Sequence, residues 1–453
     1  MQSKLNKLAH RAIIKELNKA ISRFMGNNID DAFVCLQALD KAKISPQSQG
    51  QVQKVFLLLL AGSLYDLATL KEILSLYGVK SNNYSKILQN LSHKQVYDVF
   101  VYSARAVFKT EFTQLLEQSD SSQSRAEITI VGDDSVFRQW LKKVENDPYF
   151  GIFFSGQYKK SVSGFCVSLV GCVLSGTFYP LSFRLVPKPE PKTEKETDSK
   201  KNKDKTVEDK SAKERSKSLV AFEKGLKDVH DYITALSKEA KQELPQLYVS
   251  IDSGFNNKEL LDYCQTLEMI AINVAKSTEV LLYKEKKMNF KTLIETVFLP
   301  EELKYYKDNG GSRADKLEKK PFLLRLKVFY KKLDRFVTVL LFRLKGSEKV
   351  TIIFCYDKNV KSKTMRRHFF QRTQIEQFFR MVKHTLHIEQ STSDDYKSFI
   401  KKVAIFFLKA IFAFTFRNYC RKHIRRFKEF SFYKLRKNIV HHNADKDILI
   451  ALL

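Results

Sequence analysis

The chain has 453 residues, 43% of them hydrophobic and 12% aromatic, enough for two or three domains with a substantial core, which excludes a disordered protein. Its 79 Lys and Arg against 50 Asp and Glu give a formal net charge of +29, which points to a large polyanion as partner, most commonly nucleic acid. A membrane span is excluded, because the most apolar stretch, 403–416, carries Lys409 and is too short to cross; it reads as a buried core helix.

Residues 1–124 read as helices with almost no strand pattern, and the first twenty are charged throughout, so no signal peptide is expected. Within them, 64–91 give an apolar-periodic helix, a break at Gly78 and a second helix opening after Ser81, Asn82 and Asn83, the outline of a helix-turn-helix. At Ala126 the character changes. The run ITIV is a short strand, and 165–176 and 177–186 are two more joined around Gly176, so an antiparallel three-stranded meander is expected. Residues 188–217 contain only Val207 and Ala212 as aliphatic side chains beyond proline, and read as a disordered charged insertion. A helix near 219–240, the strand LYVSI ending in Asp252, the helix KELLDYCQTL and the strand MIAINVA follow, the alternation of an α/β sheet. From 321 to 357 three strands with short polar connections predict a small β-rich subdomain with its own sheet. The tail from 396 to 437 is helical and basic. The six cysteines (35, 166, 172, 264, 355 and 420) have no CxxC or CxxH spacing and read as reduced, buried thiols, as in a cytoplasmic protein.

The run QRTQIEQFFRMVK at 371–383 holds the chemistry. Arg372, Glu376 and Lys383 are spaced i, i+4 and i+11, about 400° and 700° of helical rotation, so they are expected on one face. Ile375, Phe378, Phe379, Val382 and Leu386 form the apolar stripe beside them. Two further acids stand after strands: Asp133 or Asp134 in IVGDDS, and Asp252 in SIDSGF. Three carboxylates from separate elements make an oxygen-only donor set suited to two Mg²⁺ ions, with Mn²⁺ able to substitute. His384, His387 and Glu389 have metal-ligand spacing but sit in a basic stretch, and read as solvated or DNA-facing.

Together these motifs resemble the DDE transposases of bacterial insertion sequences, the group with a Tyr-x2-Arg-x3-Glu-x6-Lys signature. Arg372, Glu376 and Lys383 match its spacing, and Phe369 stands where it has tyrosine. IVGDDS looks like its first Asp motif, which favours Asp133 over Asp134, and DSGFNNKELL looks like its second. The resemblance covers roughly 126–400 and implies an α/β fold with an RNase H-like core in 125–275 and 361–395, interrupted by a β-rich insertion at 276–360. It adds a helical N-terminal domain, 1–124, that binds DNA ends, and a basic helical C-terminal region, 396–453. The implied activity is Mg²⁺-dependent cleavage at transposon ends and strand transfer into target DNA, by a homodimer associated with the nucleoid. Asp133, Asp252 and Glu376 would bind the metal, and Phe369, Arg372 and Lys383, with Lys276 and Arg380, the DNA. Lys159, Lys160, Arg366, Arg367 and the run 421–436 are further phosphate candidates. Phe369 lacks the phenolic hydroxyl, and the single tryptophan, Trp140, is outside the insertion where hairpin-forming members stack a flipped base. The competing readings are a catalytically inactive DNA-binding descendant and an RNase H-like nuclease.

Overall fold

The computed structural model describes residues 23–24, 36–65, 82–122, 125–139, 147–188, 216–308, 322–344, 347–390 and 392–423. Most of the helix-turn-helix outline, Trp140, the charged stretch 189–215 and the tail from 424 lie outside the described residues. What is described is a mixed α/β structure built on one mixed sheet.

Four strands open the sheet: β1 (Glu127–Arg138), β2 (Phe150–Ser155), β3 (Lys160–Leu174) and β4 (Thr177–Val186). β3 is antiparallel to β1 along one edge; on the other it pairs with β2 first and β4 afterwards. The expected meander is therefore β1, β3 and β4, and β2 is an addition to it. Helix α5 (Lys217–Glu239) leads to β5 (Gln246–Ile251), which lies parallel to β1, and α6 (Lys258–Thr266) leads to β6 (Ile270–Val274), parallel to β5. Among the described residues, the α-helices that precede the sheet include α1 (Leu36–Lys41), α2 (Pro46–Gly62), α3 (Asn82–Asn90) and α4 (His93–Ser122).

The alternation of β1 sorts its side chains between two layers. Ile128, Ile130, Gly132, Asp134 and Val136 point to one face, and Thr129, Val131, Asp133, Ser135 and Phe137 to the other. α5 covers the first face so closely that a Cβ on Gly132 would lie 2.1 Å from a ring carbon of Phe222; only glycine permits that approach. The second face is covered by α9 (Ser362–Gln371), α10 (Thr373–Arg380) and α11 (Tyr396–His423). Phe137 packs against Phe379 and Phe399 from that layer.

α11 is the centre of the molecule, as its apolar sequence predicts. Val403, Phe407, Leu408, Ile411 and Phe412 are all within 2% of full burial. Phe407 touches Phe100 of α4, Phe183 of β4 and Phe378 of α10. One hydrophobic cluster thus joins the N-terminal helices, the first strands and α11. The apolar faces of the described part of 1–124 pack on α11 and β4 within this cluster.

The β-rich insertion differs from expectation. β9 (Leu323–Tyr330), β10 (Arg335–Arg343) and β11 (Val350–Cys355) are the three predicted strands. They do not close a sheet of their own: β11 pairs antiparallel with β6 through Ile353–Val274, Phe354–Asn273 and Cys355–Ile272, continuing the core sheet. The sequence reading missed the hairpin β7 (Val280–Tyr283) and β8 (Lys286–Asn289), which pairs with β9. α7 (Phe290–Leu293), a π turn and α8 (Leu299–Asp308) then pack on this block, where Glu302 is buried in a bidentate pair with Arg343.

Candidate active site

The register between β1 and β5 brings two acids side by side. The parallel pairing ends at Gly132 opposite Ile251, so the next residues, Asp133 and Asp252, stand together where the two strands part. Asp133 is not at the end of its strand, as the sequence suggested. β1 runs on to Arg138, held beyond this point by β3 alone. Asp252 instead leaves β5 and caps the short 3₁₀ turn Ser253–Phe255.

The alternation of β1 also separates the two neighbouring acids. Asp134 faces α5, where its Oδ2 accepts a hydrogen bond from Ser218 Oγ. Asp133 faces α10, with its Oδ1 accepting from the Asp134 backbone N–H at 2.9 Å. Burial, then the Asp134 and Asp252 carboxylates, push the Asp133 carboxyl up to about 7, against the pull of that N–H and of Arg372. Burial pushes Asp134 up to about 6, tempered first by Ser218. The two interact, so the titration belongs to the pair.

The third acid arrives on a helix broken at both ends. At Arg372 the chain passes from α9 to α10 through a tight turn, with Ile375 N donating to Arg372 O at 3.2 Å. After Arg380 the helix widens into a π turn, Met381–Thr385, closed by Leu386 N donating to Met381 O at 2.9 Å. Such turns change the phase at which side chains emerge. Ile375, Phe378 and Phe379 are buried, and Glu376 points to solvent with its side chain 45% exposed.

Arg372 ties the acids together. Its guanidinium lies 3.6 Å from Asp252 Oδ1 and 2.8 Å from Glu376 Oε1. The resemblance implies DNA phosphate as its partner; in the DNA-free protein it lies against two carboxylates. Asp133, Asp134, Asp252, Glu376 and Arg372 all line one cleft of about 670 Å³, with Phe154 and Gln157 from the β2–β3 hairpin forming the opposite wall.

Lys383 lines the same cleft as Arg372 and Glu376, but as a buried residue. It is 8% exposed, and its Nζ donates to Val136 O at 2.6 Å and Gln157 Oε1 at 3.2 Å, with Glu389 3.8 Å away. The π turn that carries it lies against β1 at Val136. Burial lowers its affinity for the proton, and Glu389 pulls it back. Glu389 is not solvated either, because it accepts from Arg138 N and the Tyr158 hydroxyl. Phe369 is likewise buried, edge-on to Phe342. Arg380 is exposed on the cleft lining. Lys276 is exposed in the loop after β6, outside that lining.

Two features lie outside the expectations from the sequence. β2 supplies Phe154, 70% exposed at the cleft; the run FGIFFS before a Gly-containing turn is a strand signal that could have been read. Beneath α9, His368 is buried, stacked on Tyr248 at 3.9 Å and bonded to Thr129 Oγ1 at 2.5 Å. Nothing in the sequence separates that histidine from its neighbours.

The acids of the cleft offer carboxylate oxygens, the donor set that a hard divalent cation takes, and His384 lines the cleft beside them. Asp133, buried against two like charges, gains most from such a cation. In this geometry no three His, Cys, Asp or Glu side chains among the described residues converge closely enough to hold a metal ion. The donor type is that taken by Mg²⁺, and the Arg372 guanidinium occupies the space between two of the acids.

The chain matches no described protein family, and no curated protein matches it. Among the described residues no helix is long and apolar enough to cross a membrane.

Proposed function

We propose that the chain is a DNA transposase with an RNase H-like core, which cleaves phosphodiesters at the ends of a mobile element and joins them to target DNA. The observation that carries this reading is the meeting of Asp133 and Asp252 at the parting of β1 and β5, in a cleft that Glu376 also lines. The strand order β4-β3-β1-β5-β6, three antiparallel strands followed by two parallel ones, with α5 connecting β4 to β5, supports that core. The net charge of +29 supports a polyanionic substrate.

Asp133, Asp252 and Glu376 would hold Mg²⁺, which when bound activates a water or 3′-hydroxyl and stabilises the leaving oxygen. The chain's own part is electrostatic. Arg372 keeps Asp252 and Glu376 neutralised in the resting protein, and an incoming phosphate competes for the same guanidinium. Arg380, exposed on the rim, is placed to meet the same strand. Lys383 fixes the β2–β3 hairpin to β1 through Gln157 and Val136, which sets the width of the cleft.

The same Arg372 contacts favour a second reading, a DNA-binding protein in which the acids are permanently paired and no cleavage occurs. One experiment separates the two. Purified protein is incubated with Mg²⁺ and a labelled duplex carrying the DNA that flanks its reading frame, and products are resolved on a denaturing gel. The first reading expects strand cleavage that Glu376→Gln abolishes while duplex binding is retained. Binding without cleavage by the unaltered protein selects the second, and cleavage by Glu376→Gln refutes the assignment of the acids.

A further inference from the structure

A second cavity, of about 850 Å³, lies between α4, the free side of β4 and the start of α5. α5 separates it from the acid cleft, since Ser218 of that helix reaches Asp134 on the other side. Its walls are rich in donors and poor in acceptors. Lys94 and Arg105 come from α4, Arg184 from β4, and Lys217 and Lys224 from α5, against the acids Asp98 and Asp228. Asp228 is already committed, because its Oδ2 accepts from Ser182 Oγ and from Arg184, each at 2.7 Å.

Two kinds of donor remain. The Nε atoms of Arg105 and of Arg184 are both buried without an acceptor, which is uncommon for buried donors in folded proteins. Lys224 is exposed there. Aromatic side chains accompany the charge, with Tyr97, Tyr102 and Tyr149 lining the cavity.

We propose that this cavity binds a nucleoside phosphate, its phosphate taken by Arg105, Arg184 and Lys224 and its base laid against the aromatic wall. Cations alone would take any anion. Cations interleaved with aromatic rings select one that carries a π-face. The ligand is either a free mononucleotide or one unit of a nucleic-acid strand, and the site does not depend on the activity proposed for the acid cleft.

Calorimetric titration of the full chain with AMP, with inorganic phosphate and with a short oligothymidylate, at one salt concentration, tests this. AMP or the oligonucleotide is expected to bind about tenfold or more tighter than phosphate, the scale of one stacked base. Tighter AMP identifies a free nucleotide, and tighter oligonucleotide a strand. Arg105→Met should weaken that binding several-fold. So should Lys224→Gln, an exposed change that leaves the fold intact, whereas Glu376→Gln in the other cleft should not. Phosphate binding as tightly as AMP, binding indifferent to both cavity variants, or no binding of any of the three overturns the proposal.

Discussion

Arg372 and His368 stand four residues apart and do opposite things with charge. Arg372 holds Asp252 and Glu376 as a substitute cation. Arg372→Met should therefore raise the affinity of the DNA-free protein for Mn²⁺, read by titration; unchanged affinity would mean that the guanidinium does not compete. His368 is kept neutral. Burial first, and then the Arg367 charge, lower it from 6.5 to about 3. Between those values the unfolded chain binds a proton that the folded chain refuses, so stability from this residue is complete above about pH 6.5 and lost as pH falls toward 3. His368→Phe, which keeps a ring on Tyr248, should flatten stability against pH over that window by about 1.4 kcal/mol per unit, measured by urea unfolding at several pH values. The acids and Arg372 were readable from the sequence because strand ends and helical spacing are local. The burial of Lys383 and Phe369 was not, since it depends on a π turn and on which strand lies under α9.

Helices and strands were legible in proportion to the strength of their own patterns. α5, β5, α6 and β6 fall within a few residues of expectation because each carries a clear period bounded by polar breaks. β2 and the β7–β8 hairpin are short and owe their existence to partners, so pattern alone passed over them. α11 was rightly read as buried, but its role as the shared core of the N-terminal helices is a matter of packing. Phe407→Ala should cost about 3–5 kcal/mol, the range for a fully buried phenylalanine, and lower the denaturant midpoint of the whole chain in one transition. A separate early transition for the helices would show that they hold a core of their own. In the insertion, Arg343→Met removes the cation paired with Glu302, which is 1% exposed, and should destabilise by about 3–5 kcal/mol. Replacing both partners with apolar residues should recover most of that.

The molecule as a whole is one sheet carrying two clefts, and its least apolar stretch interrupts it between β4 and α5. Lys188 donates its backbone N–H to Pro148 O and Lys217 opens α5, so the part that can be removed is 190–214 rather than 188–217. Shortening it should leave the melting temperature nearly unchanged, because long surface connections cost little entropy; a large fall would mean that the stretch packs. The seam between β6 and β11 has a mechanical meaning. Three residue pairs splice eleven strands into one beam, and β6, on the core side of the splice, lies beside β5, which ends at Asp252. A load applied to the insertion therefore cannot be absorbed by a hinge. It is passed as shear through Ile272, Asn273 and Val274 to the strand that carries an acid of the cleft, so those amides become the gauge on which any pull from outside is registered.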